Sequence, residues 1–200
     1  MQLPPPTSPP PGMPPVLLTL GPDWDPDTVL SPAGSVDDGR LAVRAMGPAG
    51  ATGQAFSPAS FRDVVLDAVV SLEAGAEKDA YGLFFRQVAE RTYLAFVVTP
   101  DGRGAVLSLV DGVAQTLTEG ALPADAPFGR GAGAANRLTV VAAGPCVTCL
   151  VNGFVLAGVI IDARFKAGLA GAVLVHGGAS PDARMAVHWA QVRALLPDEG

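Results

Sequence analysis

Two cysteines three residues apart are the first residues here whose types and spacing suggest chemistry, in Cys146-Val147-Thr148-Cys149. A Cys-x-x-Cys pair can contribute to a zinc site or to redox exchange, but zinc needs four ligands, and the sequence has neither a second such pair nor a histidine pair beside this one. On a strand, the two Cα atoms would lie on opposite faces about 10 Å apart, too far for a disulfide. We therefore expect two ordinary thiols, with Cys149 in the core.

Calcium has one candidate site, which lies near the start of the chain. Asp23, Asp25 and Asp27 alternate there, and loop carboxylates are typical ligands of calcium. Pro26 interrupts the alternation and no glutamate follows it. We therefore expect no metal and no cofactor, with calcium as the alternative.

The two histidines, His176 and His188, are the candidate general bases. Neither is near a Gly-x-Ser-x-Gly turn, which presents a nucleophilic serine in one large class of hydrolases. The glycine-rich stretch 129–133 lacks the strand-then-helix context of a phosphate-binding loop. We expect both histidines to be structural or surface residues.

Strands are the elements that must position these side chains. Apolar-rich runs separated by turn signals cover residues 40–46, 62–73, 81–88, 92–99, 104–110, 113–118, 137–143, 146–151, 154–161, 169–176 and 185–195. This spacing predicts an all-β sandwich or barrel. The pairs Asp111-Gly112 and Asn152-Gly153 are the strongest hairpin signals, because tight two-residue turns require positive φ. Residues 61–73 and 187–196 fit a helix as well as a strand by periodicity, and the neighbouring hairpins favour strands.

The first fifteen residues differ from the rest of the chain, since they contain eight prolines and no charge. Such a segment favours polyproline II, so we expect a disordered leader or linker over residues 1–22 and a folded domain over 23–197, with Val16 and Trp24 as the two candidate starting points. The leader could also dock on a partner, because proline-rich arms are recognition elements.

Composition and charge limit the partners. The net charge is −6, which argues against nucleic acid, since that needs a clustered basic face. The longest apolar runs, such as Phe154 to Ile161, are the size of a strand and too short to span a bilayer. A cytoplasmic protein is expected if the chain is complete, and an extracytoplasmic one if it follows a removed anchor or signal.

Eight short landmarks occur in the order found in bacterial concanavalin A-like, laminin-G-like jelly rolls. They are Phe56 with Phe61-x-Asp63, Tyr81-Gly82-Leu83-x-Phe85-Arg86, Tyr93-x-x-Phe96, the pairs Asp101-Gly102 and Asp111-Gly112, Asn136-Arg137-Leu138-x-Val140, Val151-Asn152-Gly153, Phe165-x-x-Gly168-x-x-Gly171 and Val187-x-Trp189-x-x-Val192. Over about residues 23–196 the chain resembles domains related to family 16 glycosidases and to the 3-keto-disaccharide hydrolase group. The resemblance implies an antiparallel two-sheet sandwich in which 61–73 and the last segment are strands.

The catalytic motif of the family 16 glycosidases, Glu-x-Asp-x-x-Glu, is absent from this sequence. Asp63 and Asp67 share a strand face but would lie about 13 Å apart, beyond the separation of glycosidase carboxylate pairs. We therefore expect no enzyme activity and no catalytic residue. A glycoside-active enzyme with an unrecognised site is the third choice.

A ligand face would use aromatic rings beside fixed polar groups. If Leu83 and Phe85 face the core, strand alternation points Arg86 outward, and the same count points Tyr93 outward on the next strand. Arg86 and Tyr93 are therefore candidate ligand contacts, with Trp24 and Trp189 as further aromatic platforms. In the alternative interpretation, both tryptophans are core residues and Arg86 pairs with a neighbouring acid.

Two functions stay open. The first is a non-catalytic, lectin-like binding module for a glycan or a protein. The second is an accessory subunit that docks on a larger assembly, soluble or membrane-bound, through its sandwich faces and proline-rich arm.

Overall fold

The computed structural model describes residues 16–20, 34–37, 40–56 and 59–195, with the side chains of residues 16–20, 37, 54 and 194 left out. The described residues form fourteen strands and no helix. The strands are β1 Val16–Leu20, β2 Gly34–Asp37, β3 Arg40–Met46, β4 Gly50–Ala55, β5 Val64–Ala74, β6 Ala80–Ala89, β7 Thr92–Val98, β8 Arg103–Val110, β9 Val113–Ala121, β10 Ala135–Ala143, β11 Cys146–Val151, β12 Phe154–Ile160, β13 Leu169–His176 and β14 Asp182–Ala194.

The strands make two antiparallel sheets. The larger has eight strands in the order β12-β11-β10-β5-β14-β3-β2, and β1 also pairs with β14. The smaller has six strands in the order β4-β13-β6-β7-β8-β9. The predicted two-sheet β-sandwich is therefore confirmed. No helix in the described part of the chain is long and apolar enough to cross a membrane.

The core lies between the two sheets and is built by strand alternation. On β5 every second residue, from Val64 through Leu66, Ala68 and Val70 to Leu72, is buried in it. Leu83 and Phe85 of β6 face it from the other sheet. Residues 61–73 are thus mostly strand, as predicted. A sheet that is buried on one side needs apolar side chains at every second residue, and not at the 3.6-residue period of a helix.

The two predicted hairpins are present with the expected backbone. Asp111 and Gly112 have φ of 53° and 81° between β8 and β9, and Asn152 and Gly153 have φ of 49° and 88° between β11 and β12. Positive φ at both central residues is the signature of a type I′ turn, whose twist matches that of the flanking strands.

Three of the family landmarks contribute to one hydrogen-bond network that holds the loop between β9 and β10. The Asn136 amide donates to Tyr81 Oη at 3.2 Å and to Gly129 O at 2.9 Å, and it accepts from Gly129 N at 2.8 Å. The Asn152 amide donates to Asn136 Oδ1 at 2.9 Å and to Pro127 O at 2.6 Å. These asparagines therefore satisfy buried polar groups inside the fold.

Two strands lie where the sequence pattern gives little or no signal. β4, Gly-Ala-Thr-Gly-Gln-Ala, has no apolar alternation, yet it pairs with β13 along its whole length. β1 lies within the range 1–22 expected to be leader, and it begins at Val16, the earlier of the two starting points considered. Residues 1–15, 21–33 and 196–200 lie outside the described residues, and so does Trp24.

Candidate functional site

The outer surface of the eight-stranded sheet carries a group of hydrogen-bonded polar side chains, and we call it the polar face. Its side chains come from positions that alternate with core residues on β5, β10 and β14: Asp67, Val69, Ser71, Glu73, Arg137, Thr139, His188, Trp189 and Arg193.

An arginine–carboxylate cluster forms one half of the polar face. Asp67 is fully buried, and its Oδ1 accepts from Arg137 Nε at 2.8 Å and from Thr139 Oγ1 at 3.0 Å. Arg137 Nη2 donates to the other carboxylate oxygen. The bond to Asp67 raises the pKa of Arg137, against a smaller lowering by burial. Asp67 is thereby saturated, while the side chain of Arg137 remains 48% exposed.

A serine, a glutamate and a histidine form the other half. Ser71 is fully buried; its Oγ lies 2.8 Å from His188 Nε2 and also donates to Glu73. Burial, and then the nearby Arg40, lower the pKa of His188, and Glu73 offsets part of that effect. The carboxylate of Glu73 contacts the serine, whereas in a catalytic serine–histidine–carboxylate relay the carboxylate contacts and orients the histidine. The arrangement of these three residues therefore differs from that of a catalytic triad.

Trp189 lies between these two clusters. A register shift between Val187 and Trp189 places Trp189 opposite Val69, which stands between Asp67 and Ser71 on β5. Trp189 is 8% exposed and belongs to no cluster of the inter-sheet core, whereas the adjacent Ala190 does. The polar face therefore combines an aromatic ring with polar groups fixed on both sides of it.

The outer surface of the six-stranded sheet has the opposite character, and we call it the apolar face. Its side chains form a second hydrophobic cluster of Ala80, Phe84, Tyr93, Ala95, Val97, Leu109 and Val173, bordered by Ala55, Leu107, Leu169 and Val175. Phe84 and Tyr93 form a tilted ring pair with centroids 5.6 Å apart. Burial raises the pKa of Tyr93. The outward direction predicted for Tyr93 is thus confirmed.

Arg86 does not share that face. It has φ of 52° in a bulge between Phe85 and Ala89, where the register with β7 shifts. Its guanidinium donates to Arg62 O at 3.1 and 3.2 Å and to Phe165 O at 3.0 Å, and it lies 3.4 Å from Asp63 Oδ1. Phe165 is a core residue, and Arg62 follows the core residue Phe61. The predicted outward direction is wrong because the left-handed residue breaks strand alternation.

The predicted contacts are therefore not brought together. Trp189 is on the polar face and Tyr93 is on the apolar face of the opposite sheet, while Arg86 is 3% exposed at one end of the sandwich. Trp24 lies outside the described residues. The sequence interpretation missed Asp67, Ser71 and Glu73 as members of a site, although their alternation along β5 was the signal that could have found them.

His176 belongs to a separate buried cluster. His176 Nδ1 lies 2.9 Å from Asp79 Oδ1, and its Nε2 lies 3.1 Å from Ser180 O. Gly177 N also donates to Asp79 Oδ1, at 2.7 Å. Burial alone would raise the pKa of Asp79, but the amides of Ala76 and Gly177, together with His176, lower it overall. Because the Asp79 and His176 side chains are both buried and bond mainly to groups of the neighbouring loops, they join the β5–β6 and β13–β14 connections.

The cysteines lie where strand geometry predicted. Both are free; Cys146 is exposed and Cys149 is buried on the opposite face of β11. Burial raises the pKa of the Cys149 thiol. Among the described residues no group of three or more His, Cys, Asp or Glu side chains could hold a metal ion. The candidate calcium ligands Asp23, Asp25 and Asp27 lie outside that part of the chain.

Solved structures share this arrangement of sheets. The carbohydrate binding module CBM66 from Bacillus subtilis matches 76% of this chain and 86% of its own, with 16% identity and a TM-score of 0.59. The exoplasmic/lumenal domain of VIP36, in a Ca2+/Man3GlcNAc-bound form, matches 91% and 90%, with 10% identity and a TM-score of 0.65.

An enzyme has the same fold. The catalytic domain of an endo-1,3-beta-glucanase (laminarinase) from Thermotoga petrophila RKU-1 matches 85% of this chain and 82% of its own, with 12% identity and a TM-score of 0.58. No protein-family model and no curated protein sequence matches the chain. The fold is that of the concanavalin A-like lectins and glucanases. The described part of the chain therefore has a jelly-roll sandwich fold like those of the lumenal domain of VIP36 and the carbohydrate recognition domain of Emp47p.

Proposed function

We propose that this protein is a non-catalytic carbohydrate-binding module and that its ligand lies on the polar face. The observation that carries the proposal is the position of Trp189 between two clusters of hydrogen-bonded polar side chains. Sugar recognition combines an aromatic surface for the C–H groups of the ring with fixed polar groups for its hydroxyls.

The accessible groups define how a sugar would bind. Arg137 is half exposed, and Thr139, Glu73 and His188 are partly exposed, so they can exchange hydrogen bonds with sugar hydroxyls. Trp189 is 8% exposed, so a sugar would contact only a small part of its side chain. Since Asp67 and Ser71 are already bonded within the chain, they hold these groups in place and cost nothing to reorganise on binding.

The spacing of carboxylates supports a non-catalytic role. Asp67 and Glu73 both point outward from β5, and six residues along a strand separate them by about 20 Å. Glycosidases use carboxylate pairs about 5–5.5 Å or about 6.5–9.5 Å apart. Two structural relatives, the carbohydrate binding module and the lumenal domain bound to an oligosaccharide, carry a binding function on the same fold.

A second candidate function is docking on a protein, and the apolar face favours it. That surface presents two aromatic rings and several aliphatic side chains with no charged member. The members of this cluster are only 0–8% exposed, so a protein partner would contact the face mainly through the half-buried aliphatic residues at its border.

A glycan array with two matched variants tests the proposal. Trp189→Leu removes the ring from the polar face, and Phe84→Leu removes a ring from the apolar face. We expect the wild-type chain to bind at least one glycan, with affinity reduced about tenfold or more by Trp189→Leu, equivalent to about 1.4 kcal/mol, and unchanged by Phe84→Leu. The opposite pattern would place the ligand on the apolar face, and binding to no glycan would refute the proposal.

A further inference from the structure

Arg137 contacts Asp67 through only one edge of its guanidinium. Its Nε donates to Asp67 Oδ1 at 2.8 Å and to Oδ2 at 3.1 Å, and its Nη2 also donates to Oδ2. This side-on contact leaves the end-on edge, which is formed by Nη1 and the second hydrogen of Nη2, without an acceptor among the described residues. The side chain is 48% exposed. Such an edge can hold a carboxylate or a sulfate through two parallel hydrogen bonds.

The charge around this edge favours an anion. Asp67 is shared by Arg137 and by Arg193, whose Nη2 lies 3.9 Å from Asp67 Oδ2, so the three side chains together carry one net positive charge. The strands β10, β11 and β12 contain no aspartate or glutamate. An anionic group at the Arg137 edge would therefore complete a cluster of two arginines and two anions, although the chain as a whole has a net charge of −6.

The distance from Arg137 to Trp189 suits one ligand that reaches both. The two residues pair with Val69 of β5 from opposite sides, Arg137 from β10 and Trp189 from β14. Two strand spacings of about 4.8 Å each separate their backbones by about 10 Å. A disaccharide can therefore touch the exposed part of Trp189 with one ring and reach the Arg137 edge with an acidic substituent.

The guanidinium of Arg137 is already oriented before a ligand binds. Asp67 holds its other edge, and Asp67 is itself fully buried and accepts from Thr139 Oγ1 at 3.0 Å. The bond to Asp67 also raises the pKa of Arg137, which keeps the positive charge. An arginine fixed in this way loses less rotamer entropy on binding than an unrestrained one, so more of the energy of the new hydrogen bonds appears as affinity.

We propose that the polar face binds an acidic glycan and that the end-on edge of Arg137 holds the carboxylate or sulfate group of that glycan. This inference rests on the proposed carbohydrate-binding function and deepens it by naming the class of ligand. A neutral sugar offers the same edge only hydroxyl acceptors, and hydrogen bonds to an ionised acceptor are roughly twice as strong as neutral ones. The acidic group is therefore what the site selects.

Two matched pairs of polymers test the requirement for an anion, by calorimetric titration of the full chain in about 0.15 M salt, where unspecific charge attraction is largely screened. Polygalacturonate is compared with its methyl ester, which has the same backbone without the charge, and dextran sulfate is compared with dextran. We expect at least one acidic polymer to bind about tenfold or more tightly than its uncharged counterpart. The pair that shows the difference distinguishes a carboxylate from a sulfate ligand.

Arg137→Gln removes the cationic edge, and Arg164→Gln is the matched control, because Arg164 is exposed to a similar extent and also pairs with an aspartate, Asp162. We expect Arg137→Gln to lose the preference for the acidic polymer and Arg164→Gln to keep it. Arg137→Lys keeps a positive charge beside Asp67 but lacks the second pair of donors. It should fold and bind the acidic polymer more weakly than the wild-type chain, so it tests the proposal even if Arg137→Gln does not fold.

Three results would overturn the inference. They are equal affinity for the charged and uncharged polymers, an unchanged preference in Arg137→Gln, and an equal loss of preference in Arg137→Gln and Arg164→Gln, which would show an effect of net charge and not of a site. Each of them is compatible with binding to neutral glycans on the array, and carbohydrate binding would then stand without the acidic class. Binding to no glycan at all would refute the proposed function itself.

Discussion

Replacing Arg86 with alanine should destabilise the fold strongly. The side chain is 3% exposed and donates three hydrogen bonds to the carbonyls of Arg62 and Phe165, with Asp63 beside it. Hydrogen bonds from a charged group contribute about 1.5–3 kcal/mol each, and their losses are not additive within one network. We therefore expect the free energy of unfolding to fall by about 3–5 kcal/mol. With a urea m-value of about 2 kcal/mol/M, the midpoint should fall by about 2 M.

Arg164→Ala is the matched control, because Arg164 pairs with Asp162 on the surface and its side chain is 54% exposed. An exposed pair contributes at most about 1 kcal/mol, so its midpoint should move by less than about 0.5 M. Arg86→Lys keeps the charge but cannot reach both carbonyls with one ammonium, and it should fall between the two. An Arg86→Ala midpoint within the range of the control, at unchanged m-value, would refute a structural role for Arg86 and reopen its role as a ligand contact.

Three further perturbations follow from the structure. Gly82→Ala should lower the free energy of unfolding by several kcal/mol, because the added Cβ would lie 2.0 Å from Phe96 O. Gly158→Ala is the control and should change the urea midpoint little, because its Cβ would meet only Val147 O at 3.9 Å; equal midpoints for the two variants would contradict the tight backbone contact at Gly82. The pKa of Asp79 lies below its ordinary value of about 3.9, so the stabilisation from this carboxylate is complete above about pH 5 and is lost as pH falls through the folded-state pKa. Asp79→Asn should remove this part of the acid dependence of stability in urea titrations from pH 6 to 3. An identical dependence of stability on pH in both proteins would disprove the prediction. One thiol per native chain should react with a disulfide reagent, because Cys146 is exposed and Cys149 is buried with a raised pKa. Cys146→Ser should abolish this reaction. Residual labelling of the native Cys146→Ser protein would contradict the burial of Cys149.

Local chemistry determined most of the fold from the sequence. Asp111-Gly112 and Asn152-Gly153 specify type I′ hairpins because the left-handed region is accessible to these residues, and the turns then fix the register of the strands beside them. Alternation placed Leu66 and Val70 in the core and placed Cys146 and Cys149 on opposite faces. Each of these outcomes depends on sterics and side-chain direction within a few residues, and a sequence displays such features directly.

Only the tertiary structure decided which outward side chains meet. A bulge with left-handed φ turned Arg86 toward Arg62 and Phe165, and a register shift in β14 placed Trp189 opposite Val69, between Asp67 and Ser71. Arg137 reaches Asp67 from 70 residues away. Bulges and pairings between distant strands arise from the packing of whole sheets, so the spacing of residues along the chain carries no signal for them. The sequence therefore determined the sandwich and its inward-facing residues, whereas the separation of a polar from an apolar face required the assembled sheets.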